Sequence, residues 1–158
     1  MTDRDACEFD RDDLVVKFDR VFAANPTAIS PIVDEVMAVI REAGCAEGSE
    51  DAIQLALHEA LANAVRHGCR EDPQKTVQCT VACDSARGML LVVRDSGPGF
   101  DPGTVASPLV GENVFRAHGR GIYLITQLMD EVRFERGGTE IHMIKRGPGE
   151  PPAPLARK

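Results

Sequence analysis

Two pairs of short apolar segments, each pair joined by a tight turn, constrain the fold of this chain more than any other feature. Every second residue over 77–83 is Val or Cys, and a second apolar segment, 89–93, follows closely. Segments 131–136 and 139–145 are joined in the same way at a pair of glycines. Strands so near in sequence pair as antiparallel hairpins. We therefore expect a sheet built largely from two hairpins.

Helical patterns occupy the remaining parts of the chain. Apolar residues recur with a period of 3.6 over 29–40, and this pattern closes at Gly44. A second helix is predicted over 49–65 and a shorter one over 122–129, whereas 14–18 alternates like a half-buried strand. Hairpins with helices between them indicate an α+β two-layer sandwich. Its sheet should be mixed but mainly antiparallel, with the helices packed on one face.

The two ends differ in composition from the rest of the chain. Residues 1–13 hold six acidic residues and two arginines, a net charge of −4, and have little apolar surface to bury. Residues 147–158 contain four prolines, which suit neither a helix interior nor a central strand. We expect an acidic disordered tail over 1–13, one folded domain over 14–146 and a proline-rich disordered tail over 147–158.

Charge and cysteine content exclude several functions. A formal net charge of −7 argues against a surface that binds nucleic acid or an anionic membrane directly, because both need excess Lys and Arg. The five cysteines show no CxxC spacing, and Cys79 and Cys83 fall on one strand face, which favours core packing over a zinc site. With neither a signal peptide nor a membrane-length apolar run, a cytoplasmic location is expected.

The second predicted helix carries a row of polar residues. Glu59, Asn63 and His67 recur every four positions and share one face among small and apolar neighbours. A solvated helix face is one interpretation. The other is a carboxylate base beside an oxygen ligand for a hard cation such as Mg²⁺, because mid-helix Asn contributes little to helix stability.

A glycine-rich turn follows the strand that ends at Asp95. Gly97 and Gly99 allow the backbone to turn sharply and to approach a ligand where a Cβ would clash. Asp95 can accept a hydrogen bond from a donor such as an amino group. The segment is also a good turn in its own right. No GxxxxGK segment is present, which excludes a P-loop.

A further pair of glycines precedes the third predicted helix. Gly119 and Gly121 at a helix N-terminus would expose backbone N–H groups that suit phosphate oxygens. Arg116 and Arg120 add positive charge, and either arginine fits a phosphate contact. The alternative is simple loop flexibility, since a lone GxG is weak evidence.

Taken in order, these segments resemble the ATP-binding domain shared by gyrases, heat-shock chaperones, sensor histidine kinases and mismatch-repair ATPases. Within that superfamily the chain is most similar to the anti-sigma-factor serine kinases. The resemblance covers about 14–146. The matching motifs are Glu59-x-x-x-Asn63 with Ala64 and His67-Gly68, Asp95–Asp101, Gly119-Arg120-Gly121 followed by Ile122–Ile125, and Gly138-Thr139.

The resemblance implies a role for each matched residue. Asp95 would accept a hydrogen bond from the adenine amino group, with Thr139 nearby through water. Asn63 would coordinate Mg²⁺, and Glu59 would act as general base on a protein hydroxyl. Gly97 and Gly99 would allow close passage of the nucleotide. The phosphates would be held by Gly119, Arg120 and Gly121, with Arg116 as an alternative arginine. For His67, a hydrogen bond within the helix end is expected on general grounds, and contact with the nucleotide is the alternative.

The resemblance also implies a function with ATP and Mg²⁺ as cofactors. It indicates an ATP-dependent protein serine kinase and anti-sigma factor in a partner-switching system that regulates transcription. Its partners would be a sigma factor and an anti-sigma-factor antagonist, phosphorylated on a serine, and the kinase itself would be a homodimer. The alternative is a non-catalytic ATP-binding adaptor whose lid conformation controls partner binding. An intact Glu59 favours the kinase, because a pure binder needs no base there.

Overall fold

The computed structural model describes residues 15–84, 88–97 and 117–146, with backbone alone over 117–120. Both predicted tails, 1–13 and 147–158, lie outside the described residues. So do Gly99 and Arg116, together with the side chain of Arg120.

The described strands form one five-stranded sheet. They are β1 (Val15–Ala23), β2 (Thr76–Asp84), β3 (Gly88–Asp95), β4 (Glu131–Glu135) and β5 (Glu140–Arg146). Their spatial order is β1-β2-β3-β5-β4, and every neighbouring pair is antiparallel. The two predicted hairpins, β2–β3 and β4–β5, are confirmed. The helical segment between β3 and β4 returns the chain so that β5 pairs with β3.

Three helices complete the described fold: α1 (Ile29–Ala43), α2 (Glu50–Asn63) and α3 (Ala117–Leu128). The predicted α1 is confirmed, including its end at Gly44, which has a φ of +72°. Glycine adopts this left-handed conformation without the steric penalty of a Cβ. Apolar side chains of all three helices are buried with one face of the sheet in a single core. The α+β sandwich with helices on one face is confirmed.

The four cysteines that the structure describes are buried in the core, in agreement with the expected core packing. Cys69, Cys79 and Cys83 are all buried, and Cys79 and Cys83 lie on the helix-facing side of β2. Burial raises the pKa of Cys79 to about 12, and the charge of Asp19 adds to that shift. The sequence pattern does not predict the disulfide between Cys45 and Cys83, whose Cα atoms are 6.1 Å apart.

The structure corrects the predicted pattern of β1. The alternation over 14–18 places Val16 and Phe18 on one strand face, but the pairing with β2 shifts between them. Such a bulge places an extra residue in one strand and so reverses the facing of the residues after it. Phe18 therefore packs against the core, whereas Val16 is 60% exposed.

The glycine pair before the third helix also differs from the prediction. The sequence predicts a helix that begins after Gly119 and Gly121, but α3 already begins at Ala117. Both glycines therefore lie inside its first turns. Glycine is a poor helix former, so helical structure here depends on packing, and the local sequence does not reveal it.

Across the described residues, no helix is both long and apolar enough to span a membrane.

Candidate functional site

The end of α2 departs from regular helical geometry. After Asn63 the backbone forms a π-helical turn over Ala64–Gly68, in which the N–H of Cys69 donates to the carbonyl of Ala64 at 2.8 Å. Arg70 and Glu71 then follow with φ values of +55° and +57°. Single π-turns are frequent at functional sites because they displace a few residues from the regular helix surface. This turn carries Gly68 to the end of β3.

Glycines allow the π-helical turn to approach β3 closely. A Cβ on Gly68 would overlap the carboxylate of Asp95, and a Cβ on Gly97 would overlap the carbonyl of Gly68. Neither position accepts a larger residue without movement of the backbone or of Asp95. Gly68, which belongs to the first motif of the resemblance, therefore also shapes the surroundings of Asp95.

Asp95 is held firmly at the end of β3. Its backbone N–H donates to the carbonyl of Thr139 at 2.8 Å, and its Oδ1 accepts from the N–H of Gly97 at 2.8 Å. Burial raises the pKa of Asp95, while the Gly97 hydrogen bond and the charge of Lys75 act in the opposite direction. Within the described part of the chain, Oδ2 has no hydrogen-bond donor, so this atom can accept one from a ligand.

Thr139 lies across from Asp95, directly before the start of β5. Its hydroxyl donates to the carbonyl of Arg136 at 2.9 Å, and its backbone N–H points to the same oxygen at 3.4 Å. Arg136 and Gly137 adopt φ values of +53° and +70° in the short turn between β4 and β5. The position of Thr139 therefore depends on the conformation of this turn.

Asp95 and Thr139 line a pocket between the helices and the sheet. Its apolar walls come from Ala60, Ala64, Val93, Ile122, Phe134 and Ile141. Its polar lining comes from Asn63, His67, Asp95 and Thr139. Apolar walls with a few fixed polar groups are typical of sites for small organic ligands. Of the predicted site residues, the structure thus brings together Asn63, Asp95 and Thr139.

Glu59 and Asn63 meet the backbone of α3. An ideal Cβ on Gly121 would lie 3.1 Å from Oε1 of Glu59 and 3.2 Å from Nδ2 of Asn63. Both side chains are half-buried, so this face of α2 packs towards α3 and is not simply solvated. The absent Cβ leaves room directly beside a carboxylate and an amide oxygen.

The donor set beside Gly121 fits a hard cation that keeps other ligands. Mg²⁺ takes oxygen ligands and is usually held by one or two protein groups together with phosphates and water. Among the residues that the structure describes, no cluster of three or more His, Cys, Asp or Glu forms a metal cage. Asn63 is therefore suited to hold an ion that the phosphates of a ligand also coordinate.

His67 has a different environment from Glu59 and Asn63. It is exposed, lies in the π-helical turn and contributes to the pocket lining. The predicted hydrogen bond within the helix end stays a prediction. The roles predicted for Gly99, Arg116 and the Arg120 side chain also stay predictions.

Comparisons with known proteins identify the family that the sequence matches. A histidine kinase-like ATPase domain profile matches residues 22–145. Serine-protein kinase RsbW of Staphylococcus aureus strain MSSA476 is 30% identical over 117 residues, covering 68% of this chain and 72% of the relative. Serine-protein kinase RsbW of Staphylococcus epidermidis is 31% identical over 116 residues, with the same coverage of 68% and 72%.

Proposed function

This chain belongs to the histidine kinase-like ATPase family and, within it, to the anti-sigma-factor serine kinases; from that membership we propose that it transfers the γ-phosphate of ATP to a protein serine. The serine would belong to an anti-sigma-factor antagonist. In the same system the kinase would hold a sigma factor inactive. Similarity to two proteins named serine-protein kinase supports the transfer reaction.

The proposal depends on the positions of two groups of polar residues. One group lies beyond the C-terminal end of α2, and the other lies on α2 itself. Asp95 and Thr139 lie at the apolar pocket beyond the C-terminal end of α2. Glu59 lies one turn before Asn63 on α2, beside the start of α3. Asn63 lies between Glu59 and the pocket. A protein that only bound ATP would need the first group and not Glu59.

The pocket is suited to hold the adenine of ATP. Its apolar walls would contact the faces of the ring, and Oδ2 of Asp95 would accept a hydrogen bond from the amino group at position 6. Thr139 would lie nearby through water. Gly68 lines the edge of this pocket beside Asp95, and Gly97 packs against the carbonyl of Gly68, so neither position has space for a side chain.

Glu59 is proposed as the base that accepts the proton of the serine hydroxyl. The serine oxygen forms a bond to the γ-phosphorus, the bond from that phosphorus to the β–γ bridging oxygen breaks, and ADP leaves. Such reactions depend mainly on positioning and on neutralising charge. Asn63 would hold Mg²⁺, which supplies charge neutralisation to the phosphates. Gly119, Arg120 and Gly121 would contact the phosphates, with Arg116 as the alternative arginine.

The proposed output is partner switching. Phosphate on the antagonist serine would change its charge, and that change would decide whether the kinase holds the antagonist or the sigma factor. A homodimer is proposed for the kinase on the basis of the family. A cytoplasmic location follows from the proposed sigma-factor partner.

The test is phosphoryl transfer from γ-labelled ATP to the antagonist protein. Glu59→Gln should reduce the transfer rate by about 10² to 10⁴, which is the usual contribution of a positioned base. The affinity for ATP should remain within about threefold of the wild type. Glu42→Gln, at an exposed position of α1, is the matched control and should transfer label normally. Binding of ATP without any transfer by the wild type would instead support the non-catalytic adaptor.

A further inference from the structure

A buried carboxylate lies behind the pocket, on the face of the sheet opposite to the helices. Glu140 is 7% exposed, and its Oε2 accepts from Nε and Nη2 of Arg94 at 2.7 and 2.6 Å. Its Oε1 lies 3.0 Å from Nε2 of His142 and 3.6 Å from Nε of Arg136. A buried carboxylate with no partners would be strongly destabilising. Here both carboxylate oxygens have partners.

The cluster lies directly behind the two residues that face the adenine pocket. Arg94 and Glu140 are paired across β3 and β5 at the end of that ladder. The next residue along β3 is Asp95, and the residue that precedes Glu140 is Thr139. Because side chains alternate across a strand, Arg94 and Asp95 lie on opposite faces of β3, and Thr139, which precedes β5, lines the pocket together with Asp95.

Glu140 contacts residues of three segments whose relative positions determine the shape of the pocket. Arg94 belongs to β3, His142 to β5 and Arg136 to the turn between β4 and β5. Thr139 also depends on this turn, because its hydroxyl and its N–H point to the carbonyl of Arg136. Burial would raise the pKa of Glu140, but hydrogen bonds from His142 and Arg94, together with the charge of Arg94, lower it. The carboxylate is therefore charged at neutral pH and attracts the guanidinium groups.

We propose that Glu140 is a positioning residue for nucleobase recognition, which fixes the distance between Asp95 and Thr139 through Arg94 and Arg136. This inference rests on the proposed ATP site. Loosening the cluster should weaken the part of binding that depends on the adenine amino group. It should leave the contacts to ribose and phosphates in place.

The experiment compares two nucleotides on the full chain in the presence of Mg²⁺. One is ATP, and the other is purine riboside triphosphate, which has hydrogen in place of the amino group. In Glu140→Gln, ATP affinity should fall by about tenfold, as expected for a weakened hydrogen bond to a charged acceptor. Affinity for the analogue should change by less than about twofold. The transfer rate at saturating ATP should stay unchanged.

Two further variants control the comparison. Glu135→Gln alters the neighbour of Glu140 on β4 and should retain the wild-type preference for ATP. Arg94→Lys keeps the positive charge but loses the double contact with Oε2, and should reproduce the selective loss. The Arg94 side chain is 44% exposed, so this variant serves if Glu140→Gln does not fold.

The outcomes separate the two claims. Folded variants that bind both nucleotides more weakly by the same factor would overturn the positioning role, because a general structural defect does not distinguish the amino group. Variants that keep the wild-type preference would also overturn it. A wild-type chain that binds neither nucleotide would overturn the proposed function itself.

Discussion

Asp95 is a residue of the proposed site whose burial reduces the stability of the fold. Its carboxylate is half-buried beside Gly68 and accepts one backbone hydrogen bond from Gly97. Burial raises its pKa, so the charged form is less favourable in the folded protein than in the unfolded chain. A neutral hydrogen-bond acceptor at this position would give a more stable fold than the charged carboxylate.

The stability of Asp95→Asn should therefore depend on pH relative to the wild type. A carboxyl group whose pKa is higher in the folded protein than in the unfolded chain stabilises the fold at pH values below its pKa in the unfolded chain. This contribution is lost as the pH rises through its pKa in the folded protein. At pH 7 the variant should have the higher free energy of unfolding, and the difference should shrink towards pH 4. Urea unfolding at several pH values measures it.

A matched variant and a contrary result complete this test. Asp34→Asn, at an exposed position on α1, should change the free energy of unfolding at pH 7 by less than about 0.5 kcal/mol. If Asp95→Asn were less stable than the wild type at pH 7, the carboxylate would contribute favourable contacts that outweigh its burial.

At the scale of elements, the approach of α3 to α2 defines the proposed catalytic end of the site. Gly121 of α3 leaves the space beside Glu59 and Asn63 open. A helix in this position would ordinarily be more stable with Ala than with Gly, by roughly 0.8–1.0 kcal/mol. The glycine therefore indicates that close approach, and not helix stability, determines this residue.

Gly121→Ala should separate activity from stability. Its Cβ would lie 3.1 Å from Oε1 of Glu59, which requires that side chain to move by a few tenths of an ångström. We expect thermal stability equal to or above that of the wild type, together with a transfer rate lower by on the order of tenfold. Thr126→Ala, at an exposed position on the same helix, should leave the transfer rate unchanged. An unchanged rate in Gly121→Ala would show that Glu59 does not need this space.

Some elements can be predicted directly from sequence and others cannot. The hairpins can, because alternating residues and short turns leave little choice of pairing. The bulge after Val16 cannot, since an extra residue is visible only once β2 is paired. The early start of α3 cannot be predicted from the sequence because two glycines locally disfavour a helix. Packing against α2 outweighs that preference.

At the scale of the whole molecule, the proposed site forms where four separate parts of the chain converge. Asn63, Asp95, Ile122 and Thr139 all contribute to one pocket although they are spread over more than 70 residues. The family resemblance, which these motifs carry in their order along the chain, predicts this convergence. The Glu140 cluster was not predictable, because one glutamate in a strand carries no sign of its partners on β3 and in the β4–β5 turn.

The central claim is that this pocket binds ATP through Asp95. Calorimetric titration with ATP and Mg²⁺ tests it most directly, on the wild type, Asp95→Asn and the control Asp34→Asn. We expect binding by the wild type and the control, and a loss of at least about tenfold in affinity for Asp95→Asn. An Asp95→Asn affinity within about threefold of the wild type, a difference below about 1 kcal/mol, would contradict the assignment of the site.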